Sequence, residues 1–331
     1  KVNTIRHTGA SSDAVTLATD GTCTAKITNN LSNRNIIING SVIVSQRNGT
    51  SNTTIGSGAT YGPDRIAART QTGSGHTLAQ VSDGPDGFKN SAKVTIGTGG
   101  SPAAANRNYI YQTVEGYNIA HLGLETSWAK KIAISFWVKS SVTGTFACSI
   151  VSGGGSDNYT FSYTISSANT WEKKTKILQL PTSSGGWGSG TSGGLFILWD
   201  LGSGSDHEGT LNTWGNGYTR NSSNTKLMET NGATWYLTGI QIEEGDVATD
   251  FEHRSYSDEL ARCQRYYYDH LGGFPEDETP YGVGSVYNSG YVFSYIPFKV
   301  QMRAKPTLES NDNANSHDVL IGATAHASSK N

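Results

Sequence analysis

The strongest constraint this chain places on its own fold is a period of two. Runs in which β-branched and aromatic residues alternate with small or polar ones occupy residues 78–81, 92–96, 109–114, 132–139, 159–165, 172–180, 195–201 and 235–242, with Gly, Pro, Asn or Ser between them. In IAISFWVK, Ile132, Ile134, Phe136 and Val138 share one pleat face, and Ala133, Ser135, Trp137 and Lys139 the other. The first set reads as a core stripe, and SSVTG is expected to turn this strand onto the TFACSI strand that follows. Such spacing without intervening helices predicts an all-β protein, a jelly-roll-like β-sandwich. In TWEKKTKILQL, Lys174 and Lys176 alternate with Thr175 and Ile177, as on a solvent-facing or edge strand.

Composition agrees with this reading and removes several function classes. The 331 residues include 40 Gly and only 16% charged side chains, the make-up of a turn-rich β protein with room for two or three domains. A net charge of −2 gives no general electrostatic reason to bind nucleic acid. Membrane insertion is not expected, because no apolar run approaches the length of a bilayer span. Cys23, Cys148 and Cys263 are odd in number and far apart, so buried free thiols are expected rather than a disulfide framework. There is no Walker motif, nucleophile elbow or dinucleotide fingerprint.

Four segments follow in order. Residues 1–32 hold three short alternating runs that cannot bury enough surface alone. They form either a stem shared with other chains or strands packed on the next domain. The sandwich is placed at 33–252, where Asn39-Gly40 is a turn dipeptide between the runs 36–38 and 42–44. Residues 253–268 are expected to form a short helix capped by Ser255 or Ser257. Asp258 and Glu259 lie in its first turn, and Leu260, Cys263 and Tyr267 on one apolar face. Residues 269–331 read as a small C-terminal β domain, with strand-like runs at 292–296, 298–300 and 319–323. Tyr266, Tyr267 and Tyr268 form either a domain-interface core or an exposed surface.

Two glycine-rich loops carry the candidate site. SSGGWGSGTSGG presents Trp187, and LNTWGNGYTRNSSN presents Trp214, Asn216, Tyr218 and Arg220. The apolar face of a sugar ring stacks on an aromatic plane, while its hydroxyls need amide, carboxylate or guanidinium partners, here Asn216, Asp206 and Arg220. The alternative is that the rings cover the sandwich ends or an inter-chain interface. Carboxylates crowd at Glu243, Glu244, Asp246 and Asp250 and again at Asp206 and Glu208. Glu243 and Glu244 are adjacent on a strand and point to opposite faces, which is poor geometry for a catalytic pair. No catalytic residue and no cofactor is expected; a structural cation such as calcium is compatible with the oxygen-rich loops, without identifiable ligands.

Several motifs resemble tail-fibre and related virion proteins of tailed bacteriophages, especially phages of marine bacteria and cyanophage-type phages. These are the stretch from NRNIIINGSVIVSQRNGTS to GPDRI, the FWVKSS and TGTF pair, GIQIEEGDVATDFEHRSYSDELARCQRYYY, and PFKVQMRAKPT. Family members often carry Trp after the DR pair, where this chain has Ile66. Asp64-Arg65 itself is either a ligand contact or a structural ion pair. The resemblance covers roughly 33–308 and implies a carbohydrate-binding-module-like sandwich in a homotrimeric tail fibre or spike. Such a protein would be made in the host cytoplasm, incorporated in the virion with other tail proteins, and attach without catalysis to host-surface polysaccharide or lipopolysaccharide. A head or neck fibre or connector is the alternative, and a glycan depolymerase a more remote one. The resemblance also implies that the segment at 1–32 is the stem.

Overall fold

The computed structural model describes all residues except 1, 7, 12, 26–31, 184, 216–219, 222–223, 271–282, 289–290, 296, 308–317, 322–323 and 328–331. The chain divides into two compact units, Lys1–Glu259 and Leu260–Asn331.

In the first unit, β1 (Thr4–Ile5), β2 (Val15–Leu17) and β3 (Cys23–Ala25) form a three-stranded antiparallel meander that leaves Val2, Ile5 and Leu17 exposed. Cys23 is exposed too, unlike the buried Cys148 and Cys263, so the expectation of buried thiols fails there; none of the three is in a disulfide. The sandwich begins with β4 (Thr53–Thr54), β5 (Thr60–Tyr61), β6 (Ala67–Arg69), β7 (Thr77–Val81), β8 (Ser91–Thr95) and β9 (Tyr109–Glu115). It continues through β10 (Lys131–Ser140), β11 (Gly144–Ser152), β12 (Asn158–Ile165), β13 (Glu172–Gln179), β14 (Gly193–Asp200), β15 (Trp214–Gly215) and β16 (Thr234–Glu244). One sheet has the order β13-β10-β16-β8-β7-β4 and the other β15-β12-β11-β14-β9-β6-β5. The predicted all-β sandwich is therefore the observed one.

Alternation sets the core. Ile132, Ile134, Phe136 and Val138 are fully buried, and Phe136 meets Tyr163 and Trp199 of the opposite sheet edge-on at 5.2 and 5.6 Å. The expected hairpin through SSVTG does not form. β10 pairs with β13 and β16, whereas β11 pairs with β12 and β14, so the turn carries the chain from one sheet to the other. Both strands own an apolar stripe, and the crossing sets those stripes face to face. β13 is an edge strand, as Lys174 and Lys176 foretold, but those lysines lie on the core-side face, half-buried, while Lys173, Thr175 and Ile177 are exposed. Inward lysines on an edge discourage further strand pairing.

The runs 36–38 and 42–44 are buried, apart from a half-buried Ile43, without being strands. Side chains satisfy much of their backbone: Gln112 brackets Ile38, Gln80 donates to the Val42 carbonyl, and the Asn39 amide donates to the Val44 and Asp64 carbonyls. Gly40 is required here because a Cβ would stand 2.2 Å from the Ile240 carbonyl oxygen. Asp64 is nearly enclosed and accepts from the Gln46 backbone and side chain. Burial raises its carboxyl above the usual range, against the bonds from Gln46 and the charges of Arg47 and Arg65. Arg65 donates to the Thr113 carbonyl.

A second polar lock closes the unit. The Arg254 guanidinium, almost fully buried, donates to the Ile37 and Asn35 carbonyls and pairs with Glu252 and Glu259 at 3.1 and 3.4 Å. Glu252 accepts from the Asn33 and Asn35 backbone, and Glu259 from that of Asn39 at 2.9 Å. Burial raises the Glu252 carboxyl, but the Asn35 N–H, the Arg254 charge and the Asn33 N–H outweigh it, leaving it below the usual range. The helix α1 (Tyr256–Gln264) is capped by Ser255, whose hydroxyl accepts from the Asp258 N–H at 3.2 Å. Tyr267 lies beyond its last turn, while Cys263 is buried.

In the second unit, β17 (Val283–Asn288) pairs with β18 (Tyr291–Tyr295), and β19 (Asp318–Ile321) with β20 (Thr324–Ala327). Residues 298–300 are not a strand. Tyr266, Tyr267 and Tyr268 are half-buried, and Tyr268 meets Phe298 edge-on at 5.7 Å.

Candidate functional site

The two tryptophans singled out by sequence come together at the β12–β13 edge of the sandwich. Trp214 stands beside Tyr159 in the ladder, with ring centroids 5.3 Å apart, and meets Trp187 edge-on at 5.6 Å. Its indole N–H donates to the Gln179 carbonyl at 2.8 Å, joining the edge strands of the two sheets. Both rings are partly buried against the core, and the Trp187 Nε1 is enclosed without an acceptor. The loop is fixed from behind: Glu125 accepts from the N–H groups of Gly185, Gly186 and Trp187 at 2.9, 3.1 and 3.4 Å. The Gly185 bond foremost holds that carboxyl below its ordinary range, against slight burial.

The polar candidates lie elsewhere on the chain. Arg220 is buried, donating to the Gly204 and Asn221 carbonyls and pairing with Glu208 at 2.7 Å. Asp206 is exposed in the 3-10 turn Ser205–His207, whose His207 is buried. Asn216 and Tyr218 lie outside the described residues. Of the carboxylates at the end of β16, Glu243 is buried and accepts from the backbone and hydroxyl of Thr249, while Glu244 pairs with Lys130 at 3.1 Å. Asp200 is fully buried, accepting from Gly202, Ser203 and Asn224, and burial pushes its carboxyl up to about 6 despite those bonds.

A different aromatic group emerges from the pairing of the seven-stranded sheet. Ile110 and Val114 of β9 face the core, so Tyr109, Tyr111 and Thr113 face outward. Register then aligns rows across the outer face. Tyr61, Ala67, Tyr111 and Leu198 form one row, Arg69, Tyr109 and Asp200 the next, and Thr113 and Phe196 the third. Tyr109 meets Tyr111 edge-on at 5.4 Å, and Tyr111 is 6.3 Å from Phe196. On β11 and β12 the outward Ser149, Val151, Asn158 and Thr160 are buried, while the small polar Ser162 and Thr164 further along β12 are exposed. The half on β9, β6 and β5 keeps its rings half-buried, with Tyr61 41% exposed. Burial, with Tyr61 and Tyr109 close by, raises the Tyr111 hydroxyl to about 12, against the charge of Arg69. It is thus a neutral donor and acceptor at any ordinary pH.

An outward sheet face normally carries polar side chains, and this strip of three tyrosines and a phenylalanine departs from that pattern. The alternation in NYIYQTVE already held half the signal, since fixing Ile110 inward fixes both tyrosines outward. Tyr61 and Arg69 could be found only through strand pairing.

No protein-family profile and no curated protein sequence matches the chain. Among solved structures, it is similar to the enzymatically active domain of tailspike protein 4 of bacteriophage CBA120, at 13% identity and a TM-score of 0.35 over 63% of this chain and 21% of that one. It thus spans about a fifth of the length of that tailspike domain. A CBM4 module is similar at 17% identity and a TM-score of 0.31, over 62% of this chain and 97% of the module. The CBM22-1 xylan-binding domain of Paenibacillus barcinonensis Xyn10C is similar at 13% identity and a TM-score of 0.27, over 61% and 99%. These superpositions are loose. Among the described residues no three His, Cys, Asp or Glu side chains cluster as for a metal, and no helix is long and apolar enough to cross a membrane.

Proposed function

We propose that this chain is a glycan-binding β-sandwich of a phage tail fibre or spike, which attaches to host-surface polysaccharide without cleaving it. One observation carries the binding reading: the half-open strip of Tyr61, Tyr109, Tyr111 and Phe196, spread over three neighbouring rows of a sheet face where polar residues belong. Flat rings of this kind accept the C–H face of a sugar, and the Tyr hydroxyls serve its rim as donors and acceptors. The Trp187–Trp214 pair supports it less, because both rings are spent on closing the sandwich edge. The non-catalytic reading is favoured by Asp200, whose raised carboxyl is fully buried and hydrogen-bonded rather than aimed at a cleft. The virion role rests on the motif resemblance. Assembly with copies of itself is favoured by the exposed apolar side chains of the β1–β3 meander, and three weak sites on one axis would gain by avidity.

Binding is tested by affinity electrophoresis of the intact protein through gels containing host-surface polysaccharide. Tyr111→Ala should weaken retention at least about tenfold, the loss of roughly 1.4 kcal/mol. Folded Trp214→Ala should retain most of it. Unchanged retention of both Tyr109→Ala and Tyr111→Ala would end the assignment of this face. Release of soluble oligosaccharide on long incubation would instead establish a depolymerase. Immunogold labelling of intact particles distinguishes a distal fibre from a head or neck connector.

A further inference from the structure

We infer that the glycan taken by this face is acidic, its negatively charged substituent paired with Arg69. The inference rests on the glycan reading above and narrows it to a ligand class. Arg69 ends β6 directly opposite Tyr109, two residue pairs from the Ala67–Tyr111 row, so its side chain shares the outer face with the aromatic strip. It is half-buried there, and its Nε is enclosed without an acceptor. Among the described residues its guanidinium makes no hydrogen bond and has no carboxylate within 4.0 Å.

That isolation contrasts with other arginines of the sandwich. Arg254 holds two carboxylates and two carbonyls, Arg220 one carboxylate and two carbonyls, and Arg34 bonds Thr249 and lies 3.5 Å from Glu243. The carboxylate that shares a row with Arg69, on Asp200, is turned to Gly202, Ser203 and Asn224. A guanidinium is planar, permanently charged and presents parallel N–H donors, which match a carboxylate, sulfate or phosphate oxygen pair better than a single sugar hydroxyl. Partial burial beside the rings lowers the local dielectric and strengthens such a pair. Ala67, between Tyr61 and Tyr111, is itself buried, so a sugar ring rests on the accessible rims of the flanking aromatics with its charged substituent toward Arg69.

The experiment measures retention of the intact protein on two sets of immobilised probes. One set is polygalacturonate, alginate, hyaluronan and chondroitin sulfate, with the methyl esters of the uronates; the other is xylan, dextran and laminarin. We expect at least one acidic polymer to be retained about tenfold more strongly than its methyl ester or the neutral set, with the preference falling as salt rises. Arg69→Gln should abolish that preference and Arg69→Lys restore part of it, with unchanged thermal midpoints showing that both variants fold. Tyr111→Ala should weaken every retained probe alike. Equal retention of ester and acid, or of neutral and acidic sets, would overturn the acidic class while leaving the aromatic platform as a glycan site. Retention of neither set would remove both.

Discussion

Replacing Arg254 by methionine tests whether the GIQIEEGDVATDFEHRSYSDEL stretch is a structural lock rather than a surface for partners. The guanidinium side chain is 6% exposed and serves four acceptors: the Ile37 and Asn35 carbonyls and the carboxylates of Glu252 and Glu259. Methionine fills much of the volume but supplies no donor. Glu259, 3% exposed, would keep the Asn39 N–H and lose its cation, and the two carbonyls would lose their bonds to Arg254. Removing one partner of a buried ion pair costs about 3–5 kcal/mol, most of it the stranded charge. For a unit of this size that is a fall in midpoint of about 10 °C. Urea titration at constant m-value reads the loss directly. Adding Glu259→Gln should recover part of the loss, because the amide oxygen still accepts from Asn39 and only Glu252, which keeps its bonds from the Asn33 and Asn35 backbone, is left charged without Arg254. A loss under about 1 kcal/mol, or no recovery in the double variant, would refute the lock.

Other outcomes follow from the same geometry. Asp200 is neutral more readily in the folded chain, with its carboxyl at about 6 against 3.8, so its contribution is fully present below about pH 3.8 and lost as pH rises through 6. Asp200→Asn removes that decline, and its stability relative to the parent should therefore improve by about 3 kcal/mol between roughly pH 3.5 and pH 7, read by parallel urea titrations. Gly40→Ala should cost more than about 3 kcal/mol or prevent folding, since its Cβ would lie 2.2 Å from the Ile240 carbonyl oxygen. Trp214→Ala should cost about 2–3 kcal/mol by denaturant midpoint, from partial burial and the lost bond to Gln179.

Period-two patterning was enough to declare a β-sandwich, to place its main strands within a residue or two and to choose the core face of β10, because the pleat makes alternate residues share one environment. Capping residues and helical spacing, which are local, located the short helix and narrowed its cap to Ser255 or Ser257, of which Ser255 makes the bond. Pairing partners were beyond it. β10 and β11 are consecutive and separated by a turn-like SSVTG, yet they belong to different sheets, because burying two apolar stripes against each other outweighs the local preference for a hairpin. The runs around Asn39-Gly40 are joined by the expected turn yet stay ladderless for a related reason: side chains remote in sequence, Gln80, Gln112 and Glu259, supply the backbone partners that a strand would otherwise have needed. The same limit governed the site. Tryptophans on glycine-rich loops stand out in a sequence, but only packing shows that Trp214 bridges the edges of two sheets. Tyr61, Arg69 and Tyr111 are scattered over fifty positions and become neighbours through the register of β5, β6 and β9, which long-range burial sets and no local pattern encodes.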